Sequence, residues 1–452
     1  MADTFRSFDG LREALADADF DRPPAIVCNA HVTGLSVARA LKARDVPVIA
    51  IDRNEKGVAP YSEAVDFAGR VTYPLDDEAG FREDVEVLAA EIEYEPVAFG
   101  CMDEWVHAFS RTEPEGVRLP FADREVIDRV LDKESLYAVA EELGVPYPET
   151  YRIAETDPSE TGGESGPVSE SGDGTRESIP AAEAADRLDF PFVVKPARKR
   201  KFEEAVGTNV IEVADEAEFE DVVANAAAEG IRVMAQEKVP VVQGEDCSLA
   251  SYVPESGEAV SFVGNARVRY PLGYGTSCVV QRADGSAARE VEENALAVLD
   301  ETDYYGISEV EFVYDGDREE YVLLDVNTRP WKWISLPVQA GANLPLAAYS
   351  DAVGEESEAQ RASEDRAAKP RGYEPDEIRD AQWVYLADYL KLLGSDENFA
   401  DVLGRNDWLS LASGDFEASD DLTTGVYRPS DPAPAYQLLS TEFGTQEYYC
   451  SC

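Results

Sequence analysis

The sequence predicts a fold that is part α/β and part α+β. Three observations carry that expectation. Near the N-terminus a strand pattern at Ala25–Ala30, a helical pattern at Gly34–Leu41 and a second strand pattern at Val46–Asp52 make a β-α-β opening, the mark of a parallel sheet. Near residue 320 two β-rich runs flank an acidic, glycine-containing turn and read as antiparallel strands. Hydrophobic residues form 44% of the 452, enough for a sizeable core and unlike a disordered chain.

Taken in order, the opening resembles a dinucleotide fold, with Asp52 closing the second strand. The turn Asn29-Ala30-His31-Val32-Thr33-Gly34 carries one glycine where that fingerprint needs three. A Rossmann-like structural domain over residues 1–122 is therefore expected rather than a nicotinamide site. Further strands are expected at Arg70–Tyr73 and Val97–Cys101, with a helix between. A helical segment from Glu125 to Leu143 stops at Gly144, with Pro146 and Pro148 beyond. Residues 155–180 are rich in Gly, Ser, Glu and Pro and read as an acidic, solvated insertion. Phe192–Pro196 reads as a short buried strand ending in Lys195, Glu216–Ala228 as a helix, and Arg232–Ala235, Cys247–Val253 and Ala259–Asn265 as strands. The hairpin follows: Ser308–Tyr314, the turn Asp315-Gly316-Asp317, then Tyr321–Asp325. Leu344–Ala352 reads as a helix, residues 354–380 as a charged linker, and the C-terminal region 381–452 opens with an apolar-faced helix at Gln382–Leu393.

Charge sets the surroundings. Asp and Glu number 92 against 40 Lys and Arg, a formal charge of −52, and only ten of the cations are lysine. Acid spread over the whole length, with scarce lysine, points to a surface adapted to high salt, where screening makes self-repulsion tolerable. It excludes nucleic-acid binding, which needs a basic face. Cysteines at 28, 101, 247, 278, 450 and 452 show no paired metal-ligand spacing, as in a reduced cytosolic protein. The start, Met1-Ala2-Asp3-Thr4, is not a signal peptide, and no apolar run approaches a membrane span. A soluble cytoplasmic protein, monomer or homodimer, is expected.

The hairpin carries the chemistry. On neighbouring strands Glu311 can lie close to Asp325 and Asn327, and the last two share a strand face because side chains alternate with period two. Two carboxylates and an amide oxygen suit Mg²⁺ or Mn²⁺ holding a polyphosphate. A surface hairpin with solvated acids is the alternative. Arg267 and Arg269 also share a face, and either suits bidentate binding of a substrate carboxylate or acyl phosphate; the alternative is a pair of surface arginines in ion pairs.

The order of Rossmann-like domain, helix with Lys133, strand ending in Lys195 and two-acid hairpin resembles the ATP-grasp superfamily, most of all its carboxylate–amine ligase branch. The likeness runs from about Ala25 to Leu346. Leu131-Asp132-Lys133 with Ala140–Pro146 is similar to the segment that opens the family's two-lobed ATP domain, expected here over residues 123–353. Phe192-Val193-Val194-Lys195-Pro196 is similar to the strand bearing the phosphate lysine, and Gln236-Glu237-Lys238-Val239 to the strand linking the lobes, where backbone groups bind the adenine edge. The resemblance implies that Lys133 and Lys195 contact ATP, that Glu245 sits near the ribose, that Glu311, Asp325 and Asn327 hold the metal, and that Arg329 stands beside the transferred phosphoryl group. It departs from the family after Lys195, where Ala197-Arg198-Lys199-Arg200-Lys201 replaces a glycine-rich phosphate loop and glycine returns only at Gly207. That basic run is either a phosphate lid or a solvated turn.

The resemblance implies ligation of a small-molecule carboxylate to an amine, driven by ATP through an acyl phosphate. A carboxylase of the biotin-dependent type and a non-catalytic nucleotide-binding regulator are the alternatives. Trp331-Lys332-Trp333, directly after Arg329, either walls the acceptor pocket or is ordinary core.

Overall fold

The computed structural model describes residues 4–154, 178–196, 210–273, 275–354, 378–395, 399, 401–415 and 422–444. Nearly all of the acidic insertion, the basic run with Gly207, most of the charged linker, and Cys450 and Cys452 lie outside the described residues. The chain divides into two compact units. One comprises residues 1–128, 243–312 and 326–452; the other comprises 129–242 and 313–325.

The first unit opens with a parallel sheet of β1 (Ala25–Cys28), β2 (Val48–Asp52), β3 (Phe67–Arg70) and β4 (Val97–Gly100), in the order β3-β2-β1-β4. β1 and β2 are buried along their whole length, which is why they read as unbroken apolar runs rather than as alternation. The third strand is Phe67–Arg70, not Arg70–Tyr73. Ile49 to Asp52 pair with Phe67 to Arg70, and Tyr73 has already left the sheet to meet Trp105 edge-on at 5.8 Å. The helix Val32–Lys42 packs its first turn hard against the end of β1: a Cβ on Gly34 would fall 2.4 Å from the Asn29 carbonyl oxygen. Gly34 thus serves this helix–turn contact.

The second unit holds an antiparallel sheet of β5 (Thr150–Arg152), β6 (Phe192–Pro196), β7 (Ile211–Val213) and β8 (Val233–Gln236), in the order β5-β8-β6-β7. Its core gathers Phe192, Val194, Val213 and Ala235 under Phe219 of the helix Glu216–Ala228. The segment expected as one helix from Glu125 to Leu143 is two helices, Arg124–Leu131 and Lys133–Leu143. Asp132 divides them because its carboxylate accepts from the Ser135 amide at 3.1 Å and caps the second helix.

A seven-stranded sheet runs β13-β12-β9-β10-β11-β14-β15, where β9 is Asp246–Val253, β10 Val260–Tyr270, β11 Thr276–Arg282, β12 Gly306–Asp315, β13 Glu320–Asn327, β14 Gln382–Val384 and β15 Leu422–Thr424. The expected helix Gln382–Leu393 is a strand followed by a helix, Leu386–Ser395. The edge of β11 supplies hydrogen-bond partners, pairing Val279 with Val384 and Val280 with Trp383, and both Trp383 and Val384 are sealed from solvent. In the first unit one apolar cluster joins the parallel sheet to this larger sheet through Leu35, Ile307, Trp331, Trp333, Tyr349 and Trp383. Among the described residues no helix is long and apolar enough to cross a membrane, and the four described cysteines are free, buried thiols.

Candidate functional site

Glu309 and Glu311 stand two apart on β12 and so share a face. Asn327, the last residue of β13, donates its side-chain Nδ2 to both, at 3.1 Å to Glu309 Oε2 and 2.8 Å to Glu311 Oε1. The other oxygen of Glu309 accepts from the Trp333 indole Nε1 at 2.8 Å. Burial, and then the neighbouring charge of Glu311, push the Glu309 carboxyl up to about 8. Arg269 on β10 sends its Nε to Asp246 Oδ2 at 2.9 Å and stands 3.7 Å from Glu311 Oε2. Arg267 is the exposed one of the two arginines and reaches the Gly244 carbonyl at 3.3 Å. The structure thus gathers Arg269, Glu311 and Asn327, and adds Glu309 and Trp333. Sequence reading passed over Glu309 because an acid two residues before another acid, in so acidic a chain, signals only a solvated face.

Arg329 is buried, and its guanidinium Nε donates to Asp103 Oδ1 at 2.5 Å. Asp103 starts the helix that follows β4, so the carboxyl end of the parallel sheet anchors the arginine. Three residues on, the Lys332 ammonium donates to Asp388 Oδ2 at 2.7 Å and Thr276 Oγ1 at 3.2 Å and lies over the Tyr385 ring. His31 is buried, and burial followed by the charge of Lys332 pulls its pKa down to about 4. Asp52 accepts from the amides of Ala30 at 2.9 Å and Arg53 at 2.7 Å, while burial pushes its carboxyl up to about 6. The acid in the ribose position of a dinucleotide fold is here spent on holding the turn after β1.

In the second unit the Lys133 ammonium donates to Asp325 Oδ1 and, at 2.9 Å, to the Leu324 carbonyl. Tyr137, one turn further along the same helix, donates its hydroxyl to that carbonyl at 3.0 Å. Glu237 meets Arg318 through two hydrogen bonds of 2.8 Å each and also accepts the Glu149 amide. Its side chain is therefore committed to the hairpin turn, its backbone N–H donates to the Glu149 carbonyl at 2.9 Å, and the Val239 carbonyl accepts from the Val241 amide at 2.9 Å. Lys238 pairs with Glu212 at 2.7 Å. Lys195 lies on β6 opposite Met234, and its side chain is half-buried. Glu245, in the first unit, is exposed just ahead of β9. A cavity of about 1010 Å³ in the second unit is lined by Lys133, Tyr137, Tyr147, Tyr151 and Met234 but not by Lys195 or residues 237–239.

Among the described residues no group of three or more His, Cys, Asp or Glu is arranged to hold a metal ion. Both Glu309 oxygens are already taken by Trp333 and Asn327, so the hard donors left here are the Glu311 carboxylate and the Asn327 amide oxygen. They fit a small divalent cation that takes one or two protein carboxylates and completes its shell with water and phosphate oxygens.

No protein-family model matches the chain, and no curated protein matches it. Solved structures do. The ADP complex of an N5-carboxyaminoimidazole ribonucleotide synthetase superposes with a TM-score of 0.57 at 14% identity, covering 83% of this chain and 85% of that one. The Thermus thermophilus synthetase gives a TM-score of 0.55 at 15% identity, over 81% and 86%. The biotin carboxylase domain of Hydrogenobacter thermophilus 2-oxoglutarate carboxylase, solved as a dimer with MgADP and bicarbonate, gives 0.56 at 16%, over 80% and 73%. The chain has their fold, the ATP-grasp fold behind a Rossmann-like N-terminal domain.

Proposed function

We propose that this protein is an ATP-dependent ligase that joins a small-molecule carboxylate to an amine. The observation that carries the reading is the array on β12 and β13, where Glu311 and Asn327 meet beside Arg269 in a fold shared with synthetases and carboxylases that bind ADP. A substrate carboxylate oxygen attacks the γ-phosphorus of ATP, the bond to the bridging oxygen of ADP breaks, and an acyl phosphate forms. The amine nitrogen then attacks the acyl carbon, phosphate departs, and the nitrogen loses its proton to give an amide. Glu311, Asp325 and Asn327 would hold Mg²⁺, or Mn²⁺ in its place, which when bound offsets charge on the polyphosphate. Lys133 and Lys195 neutralise phosphate oxygens, and the backbone of Glu237 to Val239 receives the adenine edge. Arg329, and Arg269 with Arg267, stabilise the oxyanions that develop on the transferring group and the acyl phosphate. In a chain with formal charge −52, such local cations are what make room for ATP.

The same charge supports a halophile origin and a cytoplasmic setting. The homodimer is the favoured assembly, since the carboxylase domain that shares this fold was solved as a dimer. A second reading has bicarbonate as the carboxylate, favoured by the neighbour solved with that anion. Release of ADP, assayed with Mg²⁺ over pooled amino acids, dicarboxylates and bicarbonate, tests the proposal. Substrate-dependent ADP together with a mass-identified amide supports ligation. Nucleotide binding with no turnover across the pools returns the reading to a non-catalytic regulator.

A further inference from the structure

Three polar side chains meet in a line inside the first unit: Asn327, Glu309 and Trp333. Glu309 is 6% exposed, and each of its oxygens is taken, one by Trp333 Nε1 and the other by Asn327 Nδ2. Burial raises its pKa, and an N–H donated to each oxygen is what favours the ionised form against that burial. The second hydrogen of Asn327 Nδ2 goes to Glu311. With both N–H bonds committed to acids, the amide plane is fixed and Oδ1 is left as its accepting end. The reverse orientation would set Oδ1 against two carboxylates.

The far end of the line is equally constrained. Trp333 lies against β10 where a Cβ on Gly264 would come within 2.8 Å of the indole Cη2, so the ring sits flush on a bare strand. Trp331 packs edge-on to it at 5.1 Å. The indole nitrogens of Trp331 and Trp383 are buried without a hydrogen-bond partner, whereas that of Trp333 has Glu309. The bond to Glu309 is therefore a particular feature of this tryptophan.

We propose that Glu309 is a positioning residue: it turns the Asn327 amide so that Oδ1 serves a cation, and it ties that amide to Trp333, buried in the core. This rests on the ligase reading, in which Asn327 serves Mg²⁺. Glu309 acts through Asn327, not on substrate.

The test is Mn²⁺ binding in the presence of ADP, followed by electron paramagnetic resonance, with thermal melting alongside. In Glu309→Gln one oxygen becomes an NH₂ that must face either Asn327 or Trp333, so one of the two donors loses its acceptor. Mn²⁺ affinity should fall about tenfold, the usual scale for losing a group that orients a ligand. ADP affinity without metal should hold. Trp333→Phe keeps ring packing and deletes only the indole donor; it should weaken Mn²⁺ in the same direction by a smaller factor. It also serves if Glu309→Gln does not fold. Unchanged Mn²⁺ affinity in either folded variant overturns the proposal while leaving the ligase reading intact. Failure of the unmodified protein to bind Mn²⁺ with ADP overturns both.

Discussion

The Lys332 ammonium meets the Asp388 carboxylate at 2.7 Å, with the two side chains only 8% and 14% exposed. Lys332 follows Arg329 by three residues, while Asp388 lies in the helix Leu386–Ser395 of the C-terminal region. The C-terminal region therefore grips the segment next to the candidate site through a buried ion pair. Breaking such a pair from one side leaves an uncompensated charge. Asp388→Ala should cost about 3 kcal/mol, and removing both charges in Lys332→Met/Asp388→Ala should cost less than Asp388→Ala alone. Denaturant melts of the two variants, with Lys332→Met as the third corner of the cycle, measure this. A double variant less stable than Asp388→Ala would show that packing, not charge, holds this contact.

Asp325 has a second duty beside the proposed cation, because it neutralises the buried Lys133. Two substitutions separate the duties. Asp325→Asn keeps an oxygen to accept from the Lys133 ammonium and removes the charge a cation needs, so it should abolish ADP release while lowering the melting temperature less than Asp325→Ala does. Asp325→Ala should lose turnover and also destabilise strongly, since it strands a buried ammonium. Near-normal turnover of Asp325→Asn at saturating Mg²⁺ would remove Asp325 from the cation site.

Much of this arrangement was legible in the sequence, where local chemistry dictates it. The helix Glu216–Ala228 has the bounds its sequence pattern predicts, starting after Asp215, whose carboxylate caps Glu218. The hairpin turn is equally local, with Asp315 accepting the amides of Asp317 and Arg318. What escaped notice depends on distant partners. Gln382–Val384 is a strand because β11 and β15 flank it, and no pattern within the segment reveals those neighbours. Glu309 matters because Trp333, 24 residues later, brings its indole to it. Asp103 was invisible as the holder of Arg329 for the same reason, at a separation of 226 residues.

Lys195 stands on β6 within the antiparallel sheet, and Phe192 and Val194 of the same strand are fully buried. Strand alternation sends the Lys195 side chain to the face opposite Phe192 and Val194, while its backbone pairs opposite Met234 of the neighbouring β8. Lys195→Met keeps much of the aliphatic stem and deletes the charge. Affinity for a non-hydrolysable ATP analogue should drop by about tenfold, in line with the loss of one charge-assisted hydrogen bond to phosphate. Calorimetric titration reads it directly. Equal affinity and equal turnover would make Lys195 an ordinary surface lysine.

The last expectation concerns salt. Carboxylates spread over the surface of a chain with formal charge −52 repel one another over a range set by the Debye length. That length is about 10 Å at 0.1 M ionic strength and about 3 Å at 1 M, so neighbouring acids interact strongly in dilute buffer and weakly in molar salt. The unfolded chain spaces the same charges further apart, so the repulsion falls mainly on the folded state. Buried pairs such as Lys332 with Asp388 and Lys133 with Asp325 are shielded from solvent ions and should be far less sensitive to salt than the surface. Dialysis from molar to low KCl should therefore lower the melting temperature progressively and finally abolish cooperative folding, followed by circular dichroism. Asp388→Ala should lower stability by the same amount at each salt concentration where the protein stays folded. A melting temperature independent of KCl would contradict the high-salt adaptation inferred from composition, and an Asp388→Ala penalty that vanishes in molar salt would show that the Lys332 pair is open to solvent.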